Sequence, residues 1–508
     1  MGVIRDRIFA HYFGAGDILD AYYAAFRIPD LVYNLLVVGA LSAGFIPIFL
    51  LLFAKDKEEA WRVTNSVMNI LGLILLVICG LAFVFTPQLM PFIVPGFSGD
   101  KFAMTVTLTR IMFISPILLG ISSVMSGVLQ SLKSFFVYAL TPIFYNLGII
   151  IGAIFLVPVF GAVGLAYGVI LGAFLHLLIQ LPSLFHHGFH YGFEWKFKNI
   201  HVKKIGSLML PRTLGLATTQ LNLVAITVIA STIGAGSIAI FNFASNLQFF
   251  PVGIVGVSFA IAAFPTLSQF ATEGRQEDMI LHLSSAIRQI LFLIIPCTIL
   301  FLLLRAQIVR VVLGTGAFDW TATIATADAL AFFSLSLFAQ AITPLIARAF
   351  YALQDTWTPF LTSLVGVLTT IATSLLYKNQ FGVLALSLGF SLGAIVQLVL
   401  LWISLHRRLG SLDESTIIKS LQKISIASIV MATVIQLLKS PLAHVVNMNT
   451  FFGIFTQGVT AGIIGLGVYL FICHLLRLDE FIFFQSSLQR RWLKLTNVEG
   501  QIDAPDEV

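Results

Sequence analysis

Apolar stretches follow one another along this chain almost to its end, each closed by a short polar or glycine-rich loop. A run of about 18 or more apolar residues reads as a membrane helix. A hydrocarbon core about 30 Å thick takes roughly 20 residues at 1.5 Å per residue. Counted that way, the 508 residues hold about fourteen spans. The predicted fold is an all-α polytopic membrane protein, and no segment before the tail has room for a soluble catalytic domain.

The pattern repeats. Phe160-Gly161-Ala162-Val163-Gly164 returns as Phe381-Gly382-Val383-Leu384-Ala385. Gly168 returns as Gly389, Gly172-Ala173 as Gly393-Ala394 and Ser183-Leu184 as Ser404-Leu405, all at one offset of 221 residues. Gly14-Ala15-Gly16 returns as Gly234-Ala235-Gly236, and Pro47 as Pro265. Two similar halves in one bilayer are a common plan for alternating-access transporters. The repeat predicts two pseudo-symmetric six-helix lobes, 1–186 and 205–408, joined by a basic connector, 187–204, with a surface helix. An extra helix pair within 409–476 has no counterpart, and 477–508 is read as a cytoplasmic tail, amphipathic and then acidic. The second copy places 29 residues ahead of its Gly-Ala-Gly and the first copy only 13. The first helix is therefore expected to be truncated.

Composition agrees: mean hydropathy is +0.97 and 10% of residues are charged, against about 25% in soluble domains. Basic residues cluster in alternate loops, such as Lys55, Lys57 and Arg62, then Lys196, Lys198, Lys203 and Lys204, then Arg407 and Arg408. The loops Gly14–Asp17, Pro95–Lys101, Gly234–Ser237 and Gly314–Trp320 are poor in Lys and Arg. The positive-inside rule makes the basic loops and the C-terminus cytoplasmic.

Charges inside spans are costly and are functional candidates by default. Arg5, Asp6, Asp20, Arg27, Arg212 and Arg348 form the candidate set, with Asp30 beside Pro29 where a helix can kink. The guanidinium fork suits phosphate and carboxylate oxygens, and two or three together would hold a diphosphate. The competing reading pairs each arginine with a nearby aspartate or lets it snorkel to the interface; Arg110, Arg305 and Arg310 are assigned to the interface. Asp6 and Asp20 are expected to partner arginines rather than an anion. Cys79, Cys297 and Cys473 sit in apolar runs as small hydrophobes. There is no phosphate-binding Gly-Lys-Ser/Thr loop, zinc motif or Asp-x-Asp pair. Neither cofactor nor nucleotide, metal or nucleic acid is expected.

Arg5-Asp6, Phe13-Gly14-Ala15-Gly16, Asp20-Ala21, Ala25-Phe26-Arg27-Ile28-Pro29-Asp30-Leu31 and Gly39-Ala40-Leu41-Ser42-Ala43-Gly44-Phe45-Ile46-Pro47 resemble the opening of the MurJ (MviN) lipid II flippases. Gly316-Ala317-Phe318-Asp319 and the run from Ala349 to Pro359 resemble later motifs of that family. The resemblance implies the multidrug/oligosaccharidyl-lipid/polysaccharide exporter fold, a last helix pair that grooves a lipid tail, and a bacterial inner-membrane location. It implies transfer of the undecaprenyl-diphosphate-linked peptidoglycan precursor to the outer leaflet, with Arg5, Asp6, Asp20 and Arg27 at functional positions. The chain departs from the family at Tyr33-Asn34, where Arg-Arg is common, at Val38 and at Asn246, where a family arginine stands. Arg212 and Arg348 are expected to compensate.

The function predicted is a lipid flippase, not an enzyme, with lipid-linked precursor and membrane lipids as partners. A flippase for another polyprenyl-linked glycan or a drug/cation antiporter shares the fold. A polyprenyl-phosphate enzyme would need acid pairs or histidines gathered in one loop, which the chain lacks. A scaffold role is a further alternative. Ion gradients or membrane potential must drive transport, and the sequence names no ion.

Overall fold

The computed structural model describes residues 1–38, 44–196 and 199–486; for residues 38 and 208–216 it describes the backbone alone. All regular structure among them is helical. The chain divides into two compact units. One comprises Met1–Leu247, Val312–Ala329 and Phe360–Gly393; the other comprises Gln248–Val311, Leu330–Pro359 and the chain from Ala394.

The first unit opens with α1 (Gly2–Phe13), α2 (Asp17–Ala25) and α3 (Arg27–Tyr33). Pro29 has no N–H to give the carbonyl of Ala25, and α2 ends at Ala25. A wider π turn, Asn34–Val38, follows α3. Next come α4 (Ile46–Lys55), α5 (Lys57–Ile93), α6 (Gly99–Met112), α7 (Ile114–Ser131), α8 (Phe135–Ile151), α9 (Val157–Phe160), α10 (Val163–Leu178), α11 (Leu181–His186) and α12 (Ile200–Ser231). Asp56 starts α5 by accepting the Glu59 N–H at 3.1 Å. Further on lie α13 (Ser237–Pro251), α14 (Ser258–Thr272), α15 (Gln276–Leu303), α16 (Arg305–Val312), α17 (Trp320–Ser334), α18 (Leu337–Ala352), α19 (Trp357–Phe381), α20 (Leu384–Leu409), α21 (Glu414–Val445) and α22 (Phe451–Leu475).

Among the described residues ten helical segments are long and apolar enough to cross a membrane, and α17 with α18 makes an eleventh as a broken pair. The fourteen spans expected from counting thus exceed the uninterrupted ones. Not counted among these are α1, which has twelve residues, and the stretches of α2 to α4 and of α12, which include residues 39–43 and 208–216 outside the fully described ones.

The repeat is visible in the backbone. Gly161 (φ 63°) and Gly382 (φ 55°) share the left-handed region, and so do the non-glycine residues Lys133 and Gln354, both at φ 59°. Gly148 and Gly152 pack against Gly172 and Gly168 so closely that an added Cβ would strike backbone. In the second copy, Gly389 and Gly393 lie in the same way on Ser374, Thr370 and Gly366. Small residues at these crossings let helices approach where lipid offers no hydrophobic drive.

The connector differs from expectation. Residues 188–196 are not helical, and α12 starts only at Ile200. Side chains of α5 capture the connector's backbone: Asn65 Nδ2 donates to the His190 carbonyl (2.9 Å), and Asn69 Nδ2 to those of Gly192 (3.2 Å) and Glu194 (3.0 Å). The Lys196 N–H donates to Ser66 Oγ at 2.9 Å. Those bonds replace the i to i−4 ladder of a surface helix.

The second unit is built on α15, α21 and α22. Its core includes Ile290, Ile294, Ile424, Met431, Ile435 and Ala461. Tyr469 spends its hydroxyl on the Phe292 carbonyl (2.7 Å), and Gln307 Nε2 on Gln457 Oε1 (2.9 Å). Arg288 pairs with Glu480 at 2.5 Å just past α22.

Candidate functional site

Three sets of charged residues in the first unit link its opening helices to α12 and α13. The first is Arg5–Asp6–Asn246. Arg5 Nε and Nη2 both donate to Asp6 Oδ1 (3.0 and 2.9 Å), and Asn246 Nδ2 donates to Asp6 Oδ2 (2.8 Å). Asp6 is buried. The second is Arg27, also buried, whose Nε donates to Thr227 Oγ1 (2.7 Å) and Nη2 to Asn242 Oδ1 (3.2 Å). Asp30, one turn on, is half-buried and makes no ion pair or side-chain hydrogen bond among the described residues. Both guanidinium groups keep part of their fork for another acceptor.

The third set is Asp20. Its Oδ2 accepts from Lys101 Nζ (2.8 Å) and from the Gly236 N–H (2.7 Å); Oδ1 accepts from the Ala239 N–H (3.0 Å). Lys101 also pairs with Asp17 at 2.6 Å. Asp20 is 1% exposed. A carboxylate at the N-terminus of α13 satisfies N–H groups the helix leaves free. It partners a lysine, where the sequence pointed to an arginine.

Around Asp20 the loops poor in Lys and Arg come together. The Ala317 N–H donates to the His11 carbonyl at 2.9 Å. A Cβ at Gly14 would strike the Ala317 carbonyl, one at Gly236 that of Ala15, one at Gly316 that of His11 and one at Gly96 that of Ser231. Backbone thus lies on backbone, which seals this end of the unit. The first Gly-Ala-Gly turns at its first glycine (Gly14, φ 61°), the second at its third (Gly236, φ 82°); the two copies match in sequence but not in the position of the turn.

The structure therefore brings Arg5 to Asp6, and Arg27 to polar groups of the second half. Arg348 lies half-buried on α18, in the other unit. Arg212 falls on α12 in the stretch 208–216, and its side chain lies outside the described residues. Asp355, seven residues after Arg348, is past the helix end; it accepts from Arg408 Nη1 (2.9 Å) and from the Thr358 hydroxyl (2.8 Å). Lys101, Thr227 and Asn242 are the residues sequence reasoning missed. Lys101 stands in a loop set aside as poor in cations. Its only signal in the sequence was that it is the one cation of that loop; Asp17 and Asp20, more than 80 residues earlier, meet it only in the fold.

Among the described residues no group of His, Cys, Asp and Glu could hold a metal ion. Cys79 and Cys473 are buried and Cys297 partly so, each as a free thiol.

A family model described as "Lipid II flippase MurJ" matches residues 9–456. The chain is 31% identical over 448 residues to a probable lipid II flippase MurJ of Rhizobium tropici, covering 85% of this chain and 83% of the relative. It is 30% identical over 505 residues to one from Buchnera aphidicola, covering 96% of each. Its fold is similar to a solved "Lipid II flippase MurJ, inward closed conformation" (TM-score 0.78, 26% identity, 94% of this chain and 96% of that one). It is also similar in fold to an inward-facing multidrug resistance MATE family transporter of the MOP superfamily (TM-score 0.68, 16% identity, 81% and 94%).

Proposed function

This chain belongs to the MurJ lipid II flippase family, and from that premise we propose that it carries lipid II across the bacterial inner membrane by alternating access for cell-wall synthesis. It is a transporter, not an enzyme: its relatives are named flippases.

The observation that carries the mechanism is the pair of guanidinium groups in the first unit, each held by neutral or acidic partners yet with donors to spare. Arg5, Arg27 and Arg212 bind the diphosphate. Asp6 orients Arg5 rather than meeting the anion, since like charges repel. A water-poor setting strengthens such contacts. The loops around Asp20 form the outer gate: by the positive-inside rule they face outward, with the C-terminus in the cytoplasm. A closed outer gate bars the head group from the outer face, so loading is assigned to the cytoplasmic side. Rocking of the lobes breaks the Asp20 contacts and exposes the head group outward, while the pair α21 and α22 keeps the prenyl tail in lipid. Membrane potential or an ion gradient drives the cycle.

The test is native mass spectrometry of the purified protein offered lipid II and an undecaprenyl-diphosphate O-antigen repeat in competition, with Arg5→Ala and Arg27→Ala alongside. Preference for lipid II, lost in both variants, is expected. Equal binding of both lipids, unaffected by the substitutions, would move the function to another glycan lipid or to drug antiport.

A further inference from the structure

His176 is an ionisable residue near the end of α10, inside an apolar segment that runs from Val163 to His186. Its Nδ1 lies 2.6 Å from Ser122 Oγ on α7. Gln180 Nε2 donates to the same Ser122 oxygen (2.6 Å) and to the His176 carbonyl (2.8 Å), and Ser126 Oγ donates to Gln180 Oε1 (2.9 Å). Ser122 and Gln180 are wholly buried. With the ring neutral and its hydrogen on Nε2, the Ser122 hydroxyl donates to Nδ1 while its oxygen accepts from Gln180, whose Nε2 also lies 3.4 Å from Nδ1. The ring's Nε2 has no hydrogen-bond partner among the described residues.

The groups facing this ring are few. From α7 come the two serines, which do not titrate; from α8 comes Tyr145, edge-on with ring centroids 6.5 Å apart. From α3 the nearest link is Tyr33, whose hydroxyl bonds Ser123, the residue after Ser122, at 2.8 Å. Asp30 acts electrostatically on Tyr33 and Tyr145, and Arg5 on Tyr145. No carboxylate contacts the ring among the described residues, so a proton bound there is held by dipoles alone and is easily returned.

We propose that His176 is a proton-binding site that couples proton movement to transport. The step is a simple exchange: one proton joins Nδ1 from one side of the membrane and leaves to the other. When Nδ1 becomes N–H it must donate to Ser122 Oγ, and the serine hydroxyl, its direction reversed, turns away. That rewires the α7–α10 contact. The same turn of α7 holds α3 through Ser123 and Tyr33, and α3 carries Arg27. Protonation is thereby transmitted to the helix that grips the diphosphate. A histidine in a span is expensive, and inert helix glue would not need a titrating group.

The inference rests on the flippase reading, and the test separates the two. The full chain is placed in liposomes with labelled lipid II and lumenal pyranine, the potential is clamped with valinomycin at equal potassium, and a gradient of one pH unit is imposed. The gradient should speed flipping several-fold, up to about tenfold per proton carried, with matching pyranine change. His176→Gln should bind lipid II and flip it without a gradient as the parent does, but show neither acceleration nor proton movement. Ser122→Ala, which keeps the histidine, should shift the pH of half-maximal acceleration. A parent that flips lipid II indifferently to the gradient overturns the proposal and leaves the flippase reading intact. So does an unshifted Ser122→Ala, or a His176→Gln that keeps its response. A parent that neither binds nor flips lipid II overturns the functional reading itself.

Discussion

Asp6 accepts a hydrogen bond from Asn246, 240 residues away in the chain, at 2.8 Å while Arg5 holds its other oxygen. Asn246 stands where the family resemblance puts an arginine. A guanidinium there would take over Asp6 and leave Arg5 freer for an anion. Asn246→Arg should therefore tighten lipid II binding by about tenfold, the worth of one added charge-assisted contact of about 1.5 kcal/mol. Asn246→Leu leaves Asp6 one donor short and should weaken it. Titration of lipid II against both variants checks this; an arginine that changes nothing would remove Asp6–Asn246 from the binding site.

Arg27 is held by Thr227 and Asn242 and supplies the charge nearest Asp30 on its own helix. Arg27→Ala leaves the buried Thr227 hydroxyl without that donor, at about 1–3 kcal/mol, and removes a contact of the half-buried Asn242. It should lower thermal stability in detergent and reduce lipid II affinity by about tenfold or more. Arg27→Lys keeps the charge but cannot reach both partners from one ammonium. It should recover only part of the affinity. Full recovery by lysine would mean that charge alone, and not the fork, is needed.

Much of the architecture was legible because it rests on local rules. The repeat at 221 residues singled out Gly168, Gly172, Gly389 and Gly393, and these are the residues at which helices touch. Lys133 and Gln354 show what the sequence hid: identical left-handed turns at equivalent places, written with different side chains. The candidate charges were legible as charges because any ion inside an apolar run stands out. Their partners were not. Asn242 and Thr227 are ordinary polar residues until packing sets them beside Arg27, and Asn246 stood out only through the family resemblance, not as a partner of Asp6. The connector misled for the same reason: its basic, aromatic composition permits a surface helix, while Asn65 and Asn69, far away in sequence, hold it extended.

Asp355 lies between α18 and α19, outside the spans. Burial pushes its pKa up, but hydrogen bonds from the Thr358 N–H and hydroxyl, the Arg408 charge and the Trp357 N–H outweigh it, and the pKa is lowered below 3.8. A carboxylate with a depressed folded pKa stabilises the fold above its unfolded pKa, and that stability is lost as pH falls through the folded one. Asp355→Asn should thus melt earlier than the parent at pH 7, and the difference should close as pH falls below about 4. Thermal melts across that range check it. A difference that persists unchanged at pH 2 would assign the effect to the lost cap geometry instead of the charge.

Asp20 holds the Gly236 and Ala239 N–H groups and the Lys101 ammonium with one buried carboxylate. Removing one partner of a buried pair costs about 3–5 kcal/mol, and here the cost falls only on the sealed state, because an open gate leaves those donors to water. Asp20→Ala should therefore shift the population toward the open gate. Gly236→Ala should do the same by another route, since its positive φ and the Ala15 carbonyl both exclude a Cβ. The reporter is Ser237→Cys, a position 5% exposed in the sealed state, probed with a membrane-impermeant thiol reagent. The protein's own cysteines are buried or partly so and give a low background. Labelling of that cysteine should speed up at least tenfold in either variant, and lipid II flipping should slow because the loading state is depopulated. Faster labelling with unchanged flipping would mean that gate closure does not limit the cycle. Unchanged labelling in both variants would mean that these contacts are not the latch.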